Sequence, residues 1–442
     1  MKLKQLPYVQ TNDVVMRLFF LLTSLLILAT LPFANAQEEK SNYGNTPDEL
    51  LPYGKFRQPY IKFFAEPQQF LGPGRGKKAP TNLKTIKIGF LGPLEGTSDV
   101  TMGKQMLNGA MLAIEEANQN GGFNGVPFEL ILHNDAGLWG AAANEVVKMD
   151  DEKVWAILGS IDGTVTHVAL RVAMKLEIPM VNTGDPDPTL TETAIPWIIR
   201  VIGDDRQSGY ALANHIFKER DLSRVAVLRV NNRYGRVGSA EFRDAARRSG
   251  FPLVMEVRYA EGDTTFLPQL KRIQQADADA VVLWIDNAAT AANIVKEMDL
   301  LGMNLPIFGS DRMVSEEFIE KAGNLAEGIV STYPYNPSLN NPQLIAFNKN
   351  YVKRFNQIPD MFAAHAYDGM NILIAAIDKA GLNRVLIRDL LTDLKTFQGY
   401  EGVTGKIIFD ASWNDIGPIW MAEVRNGKFI FTPASRTTSL KP

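Results

Sequence analysis

The residues of this chain best placed to do chemistry stand just after short apolar runs. Asp162, Gly163 and Thr164 follow the run that ends at Leu158, Gly184 and Asp185 follow Met180-Val181-Asn182, and Tyr234 follows residues 225–230 through Asn231-Asn232-Arg233. Asp286 comes two residues after Trp284, and Asp311 closes Phe308-Gly309-Ser310. Four carboxylates, a phenol and a hydroxyl in such places suit a small polar molecule, and the carboxylates favour a cationic, amide or polyhydroxylated one over an anion. A helix beginning at Thr164 would offer its unpaired amides to an anion, with Thr164 as either a cap or a donor to the ligand. The plainer alternative is that two or more of the acids cap helices or face solvent.

Catalytic and metal chemistry lack their usual residue patterns. There is no cysteine and no GxSxG elbow. The four histidines, His133, His167, His215 and His365, show neither HExxH nor i,i+4 spacing, so no metal, no cofactor and no enzymatic activity is expected. His365 has some claim to a site because it lies near the start of a helix, but a packed helix position explains it as well. The Gly72-Pro73-Gly74-Arg75-Gly76-Lys77-Lys78 stretch lacks the GxxxxGK[ST] spacing and follows no apolar strand, so it reads as a flexible turn. The formal charge of −3, with both signs interspersed, gives no footprint for nucleic acid or anionic lipid.

The elements that must position these residues alternate. Apolar runs of strand length occur at residues 86–91, 128–134, 154–158, 180–182 and 198–201, separated by helical patterns at 102–118, 140–150, 164–176 and 188–193. Gly203-Asp204-Asp205-Arg206 resets the pattern. A second series follows, with strands at 225–230, 253–259, 280–283, 307–309 and 328–332 and helices at 207–219, 235–249, 266–275, 288–301 and 316–322. Short buried strands alternating with helices imply parallel sheets covered on both faces, so the fold is expected to be α/β with two doubly wound lobes. In such sheets ligands sit beyond the carboxyl ends of the strands, where the residues above are found.

Two segments precede this series. Met16-Arg17, an apolar run at 18–31 and Ala34-Asn35-Ala36 read as a secretory signal peptide over residues 1–36. Fourteen helical residues rise only about 21 Å, short of a bilayer core. Its removal takes away three cations and one anion and leaves a formal charge of −5. With no cysteine there is neither a lipid-modified N-terminus nor a disulfide, so the mature chain is expected free in the periplasm. Residues 37–83 hold six prolines and several aromatics, which suggests an irregular arm lying on a lobe or docking a partner.

In series, Ile88-Gly89-Phe90-Leu91-Gly92-Pro93, Asn120-Gly121-Gly122-Phe123-Asn124-Gly125, Asn134-Asp135, the Gly159 loop, Asn231-Asn232-Arg233-Tyr234-Gly235 and Phe308-Gly309-Ser310-Asp311 resemble the type I periplasmic binding proteins of the branched-chain amino acid (Leu/Ile/Val) uptake family, over residues 84–431. The resemblance implies two lobes joined by a three-strand hinge, closing on a small-molecule solute as a monomer and delivering it to an inner-membrane ABC permease. A ligand sensor signalling to a membrane or periplasmic partner is the alternative. It also implies a first lobe from residues 84–202 and 332–412 and a second from 203–331, to which 413–442 return, with crossings near 202–203, 331–333 and 410–413.

The family's site, carried across, places a ligand carboxylate on the loop at Asp162, Gly163 and Thr164, an aromatic contact at Tyr234 and an ammonium partner at Asp311. Asp286 lies where another contact is expected, but Asn287 replaces its aromatic, and Trp284 has an alternative as core. Met102 stands near an aromatic position. After Gly184 the chain departs further: Asp185 replaces a small residue, and Pro186 replaces a hydroxyl donor and removes an N–H. A carboxylate at that point repels a bound carboxylate, which argues against simple leucine-like recognition.

Overall fold

Strand β1 (Ile86–Gly92) is apolar except for Lys87 because it lies inside a sheet covered on both faces. In the computed structural model, which describes residues 72–435 except 194, 395, 396, 398 and 411, it pairs in parallel with β2 (Phe128–Asn134) and β3 (Ile157–Gly159). With β4 (Met180–Asn182) and β5 (Ile198–Arg200) the sheet order is β2-β1-β3-β4-β5. One face packs under α1 (Val100–Gln119), the other under α2 (Trp139–Asp151) and α3 (Gly163–Lys175), and each face has its own buried apolar cluster. A single turn, α4 (Thr189–Glu192), links β4 to β5.

The second lobe repeats the scheme. After α5 (Asp205–Asn214) come β6 (Val225–Val230), α6 (Arg233–Arg248), β7 (Met255–Tyr259), α7 (Leu267–Gln275), β8 (Ala280–Trp284), α8 (Ala288–Leu300), β9 (Ile307–Gly309), α9 (Glu316–Ala322) and β10 (Val330–Tyr333). These strands form a parallel order β7-β6-β8-β9-β10, the same winding as the first sheet. The chain then supplies α10 (Pro342–Phe355), α11 (Met361–Ala380) and α12 (Arg384–Thr392) to the first lobe. Gly109 of α1 lets α11 approach closely, since a Cβ there would lie 2.0 Å from the Ala363 carbonyl. A hairpin of β11 (Tyr400–Gly402) and β12 (Gly405–Ile407) follows, tied to α11 where Asp368 accepts from the amides of Val403 and Thr404, each at 2.9 Å. Finally β13 (Trp420–Arg425) adds to the second sheet antiparallel to β10, and β14 (Lys428–Pro433) pairs antiparallel with β13 at the edge. The fold is therefore α/β, with two doubly wound lobes.

Where the chain passes between lobes, Arg200 is fully buried and ties the segments together. Its Nε donates to Asn414 Oδ1 at 2.6 Å, Nη2 to Asp204 Oδ2 at 2.9 Å, and Nη1 to the carbonyls of Asp185 and Asp187. Asp204 also forms a reciprocal capping box with Gln207, which starts α5 at Asp205, two residues earlier than its apolar periodicity suggests.

The signal-peptide segment and residues 37–71 of the arm lie outside the described residues. The end of the arm, Pro73–Gly76, is a single 3-10 turn on the first lobe. Asn383 Nδ2 donates to the carbonyls of Gly74, Arg75 and Lys77 at 3.0 to 3.3 Å, so the glycine-lysine cluster is a docked turn. Among the described residues no helix is long and apolar enough to cross a membrane.

Candidate functional site

The loops after β1, β3 and β4 in the first lobe meet those after β6 and β9 in the second. Gly159 begins one of them with φ +133°, and a Cβ there would lie 1.8 Å from the Leu91 carbonyl, so the loop depends on glycine to pass β1. Ser160 Oγ then donates to the buried Asp135 Oδ2 at 2.5 Å, linking the ends of β2 and β3. Asp162 is the N-cap of α3: its Oδ1 accepts from the amides of Thr164 at 2.8 Å and Val165 at 3.0 Å. This corrects one expectation: the cap is Asp162 and not Thr164, whose side chain is exposed, and the Asp162 carboxylate takes the Thr164 and Val165 amides.

On the neighbouring loop Gly184 is buried, and a Cβ would lie 2.5 Å from Ile161 Cγ2. Asp185 is 1% exposed; its Oδ1 accepts from the Asp187 amide at 3.0 Å, while its Oδ2 has no partner among the described residues. Burial, with Asp187 close by, pushes the Asp185 carboxyl up to about 8. Asp187 behaves oppositely. Burial raises it too, but the Arg233 cation and the Thr189 donors outweigh burial and hold it below its ordinary value. The pair therefore shares one negative charge near neutrality.

Second-lobe side chains reach across to these loops. From the first turn of α6, Arg233 Nε donates to Asp187 Oδ2 at 2.6 Å and Nη2 to Thr189 Oγ1 at 3.0 Å. Gly163 leaves room for this bridge, since a Cβ there would lie 2.8 Å from Asp187 Oδ2 and 2.9 Å from Arg233 Nε. Arg206 of α5 pairs with Glu192 of α4, and the Asp205 amide donates to the Pro186 carbonyl at 2.8 Å. Tyr234 donates its hydroxyl to Asp311, whose carboxyl burial raises above its ordinary value. Asp286 accepts from Tyr259 Oη at 2.6 Å, and Asn287 caps α8.

Arg312, beside Asp311, lies with its guanidinium 3.9 Å from the centroid of the Tyr234 ring. Its Nη1 is 3.8 Å from Asp99 Oδ1 in the first lobe and 3.5 Å from the Asp286 carbonyl. The other sequence candidates lie elsewhere. Trp284 is fully buried in the second-lobe core, Met102 packs half-buried against the first-lobe core, and His365 is enclosed with Nδ1 2.7 Å from the Met361 carbonyl. Burial lowers His365 to about 4. No group of three or more histidines and acids with a metal-binding arrangement occurs among the described residues.

Sequence reasoning missed Arg312, Arg233 and Asp99. Each is a charged residue close to a strand end, and the composition of the loops carried that signal. Only the three-dimensional pairing shows that the two arginines face the first lobe.

These loops occupy the place where doubly wound folds bind ligands. The model of the periplasmic binding protein family matches residues 85–428, so this chain belongs to that family, of the type I, branched-chain amino acid kind. It is 26% identical over 352 residues to the Leu/Ile/Val-binding protein homolog 2 of Brucella abortus (strain 2308), covering 79% of this chain and 92% of that protein. It is 26% identical over 309 residues to an amino acid binding protein of Pseudomonas aeruginosa, covering 68% of this chain and 80% of the relative. Its structure resembles that of the branched-chain amino acid transporter substrate binding protein LivJ from Streptococcus pneumoniae in complex with isoleucine. The TM-score is 0.71 at 27% identity, covering 79% of this chain and all of the other. The protein is a solute-binding protein and not an enzyme.

Proposed function

We propose that the protein is an exported, monomeric receptor of the periplasm that closes its two lobes around a small polar solute of the amino acid, amide or amine class and delivers it to an inner-membrane ABC permease. The family and the names of its relatives support this class of solute. The observation that carries the reading is a set of buried polar atoms just after β4 and β9: Thr183 Oγ1, Asp185 Oδ2 and Ser310 Oγ have no hydrogen-bond partner among the described residues. Such atoms each cost on the order of 1–3 kcal/mol when left unpaired, so a bound solute that satisfies them gains affinity and specificity together. Closure would rotate the lobes about the crossings near residues 202–203 and 410–413 and a middle one that follows β10, which runs to Tyr333 and so lies beyond the expected 331–333.

A thermal-unfolding screen of amino acids, amides, amines and polyols tests the reading. A solute at 100 times its dissociation constant adds about 2.7 kcal/mol to stability. A clear rise in melting temperature with one chemical class is expected, and no rise with any member would contradict the proposal.

A further inference from the structure

The Arg312 guanidinium is a buried cation with most of its donors unused. Its side chain is 4% exposed. Its sole hydrogen bond to a described residue is the long one from Nη1 to the Asp286 carbonyl, and Asp99 also lies on the Nη1 side. Nε and Nη2, the edge that fits a planar oxyanion with two parallel hydrogen bonds, make none to described residues. The Tyr234 ring fixes the plane of the fork, and Tyr234 is itself held by its hydroxyl bond to Asp311. Asp311 accepts that hydroxyl on Oδ1. On the first lobe Asp162 takes the Thr164 and Val165 amides of α3 and sets a carboxylate beside the helix start, which disfavours a ligand anion there.

We propose that Arg312 is the specificity-determining residue of the cleft and binds a carboxylate of the solute through its Nε–Nη2 edge, the ligand being a small carboxylic acid. The far end of that acid carries hydroxyl or amino groups that meet Thr183 and Asp185. A buried, neutral Asp185 carboxyl can donate to such a group as well as accept from it. This rests on the receptor reading and narrows it.

The test uses the mature chain and matched probes: aliphatic, hydroxy, amino and aromatic acids, each beside its amide and its amine, such as leucine with leucinamide and benzoate with benzamide. Melting temperature screens the panel, and calorimetry measures the acid-to-amide affinity ratio. An acid is expected to bind 10- to 100-fold more tightly than its amide, the range of one charge-assisted bidentate contact. Arg312→Gln should bring that ratio close to one, and Arg312→Lys, which keeps the charge without the fork, should give an intermediate ratio. Arg312→Lys also serves if the glutamine variant does not fold, since a purely structural arginine would leave its ratio at the wild-type value. Amides or amines binding as well as the acids, or a ratio unchanged in the folded variants, overturns the role of Arg312 and leaves the receptor reading standing. No stabilisation by any probe overturns both.

Discussion

Replacing Arg233 by alanine should weaken solute binding without unfolding the protein. Arg233 spans the cleft, and its partner Asp187 is 5% exposed while Arg233 itself is 30% exposed. A hydrogen bond to a charged group contributes about 1.5–3 kcal/mol, and the part of Arg233 that remains in solvent places this bridge toward the lower half of that range, about 1.5–2 kcal/mol. With the lobes apart both groups are hydrated, so the loss falls on the closed state alone. A ligand that binds the closed state then sees its apparent dissociation constant rise by about 10- to 30-fold, where closure is the minor state of the free protein. Titration calorimetry on wild type, Arg233→Lys and Arg233→Ala measures this, with lysine intermediate. The bridge should also persist into mild acid. The Asp187 carboxyl is held below its unfolded value, so its contribution is present above that value and is lost only as pH falls through the depressed folded one. An alanine variant that binds within twofold of wild type would refute the bridge as a closure contact.

The remaining predictions concern single side chains. Asp185→Asn should flatten the pH dependence of stability. With a folded value of about 8, Asp185 keeps a proton that the unfolded chain releases near 4, so wild-type stability falls across that window by up to about 1.4 kcal/mol per pH unit. Denaturant melts at several pH values check this, and parallel profiles for the two proteins would contradict it. Asp162→Ala should cost about 1 kcal/mol of stability through loss of the α3 cap. If capping is its whole role, calorimetry will show affinity unchanged. Tyr234→Phe should destabilise the fold by roughly 1–3 kcal/mol by leaving the buried Asp311 without its donor, measured by chemical denaturation.

Much of the fold is legible because both sheets are buried on two faces, which makes the strands short apolar runs that stand out between amphipathic helices. The hairpin at 400–407 was not read, since its residues pair with each other and hang from Asp368, a contact with no local periodicity. The site was legible as a set of strand-end loops but not as a charge arrangement. Asp162 and Asp286 have the same sequence setting as Asp185, yet the first caps a helix, the second takes a tyrosine hydroxyl, and the third keeps an oxygen unpaired. What separates them is the partner each finds: the amides of the helix that follows for Asp162, the distant Tyr259 for Asp286, and one amide two residues on for Asp185. Arg312 shows the same limit from the other side. Asp311 stands out through the family resemblance, whereas nothing in the sequence marks the cation next to it, which stacks on Tyr234.

Closure of two lobes around a solute is the central claim, and small-angle scattering on the mature chain tests it most directly. With and without a saturating concentration of the solute found by thermal screening, the radius of gyration should fall on binding, and the bound profile should match the closed arrangement bridged by Arg233 and Arg312. Superimposable profiles at saturation would contradict the account.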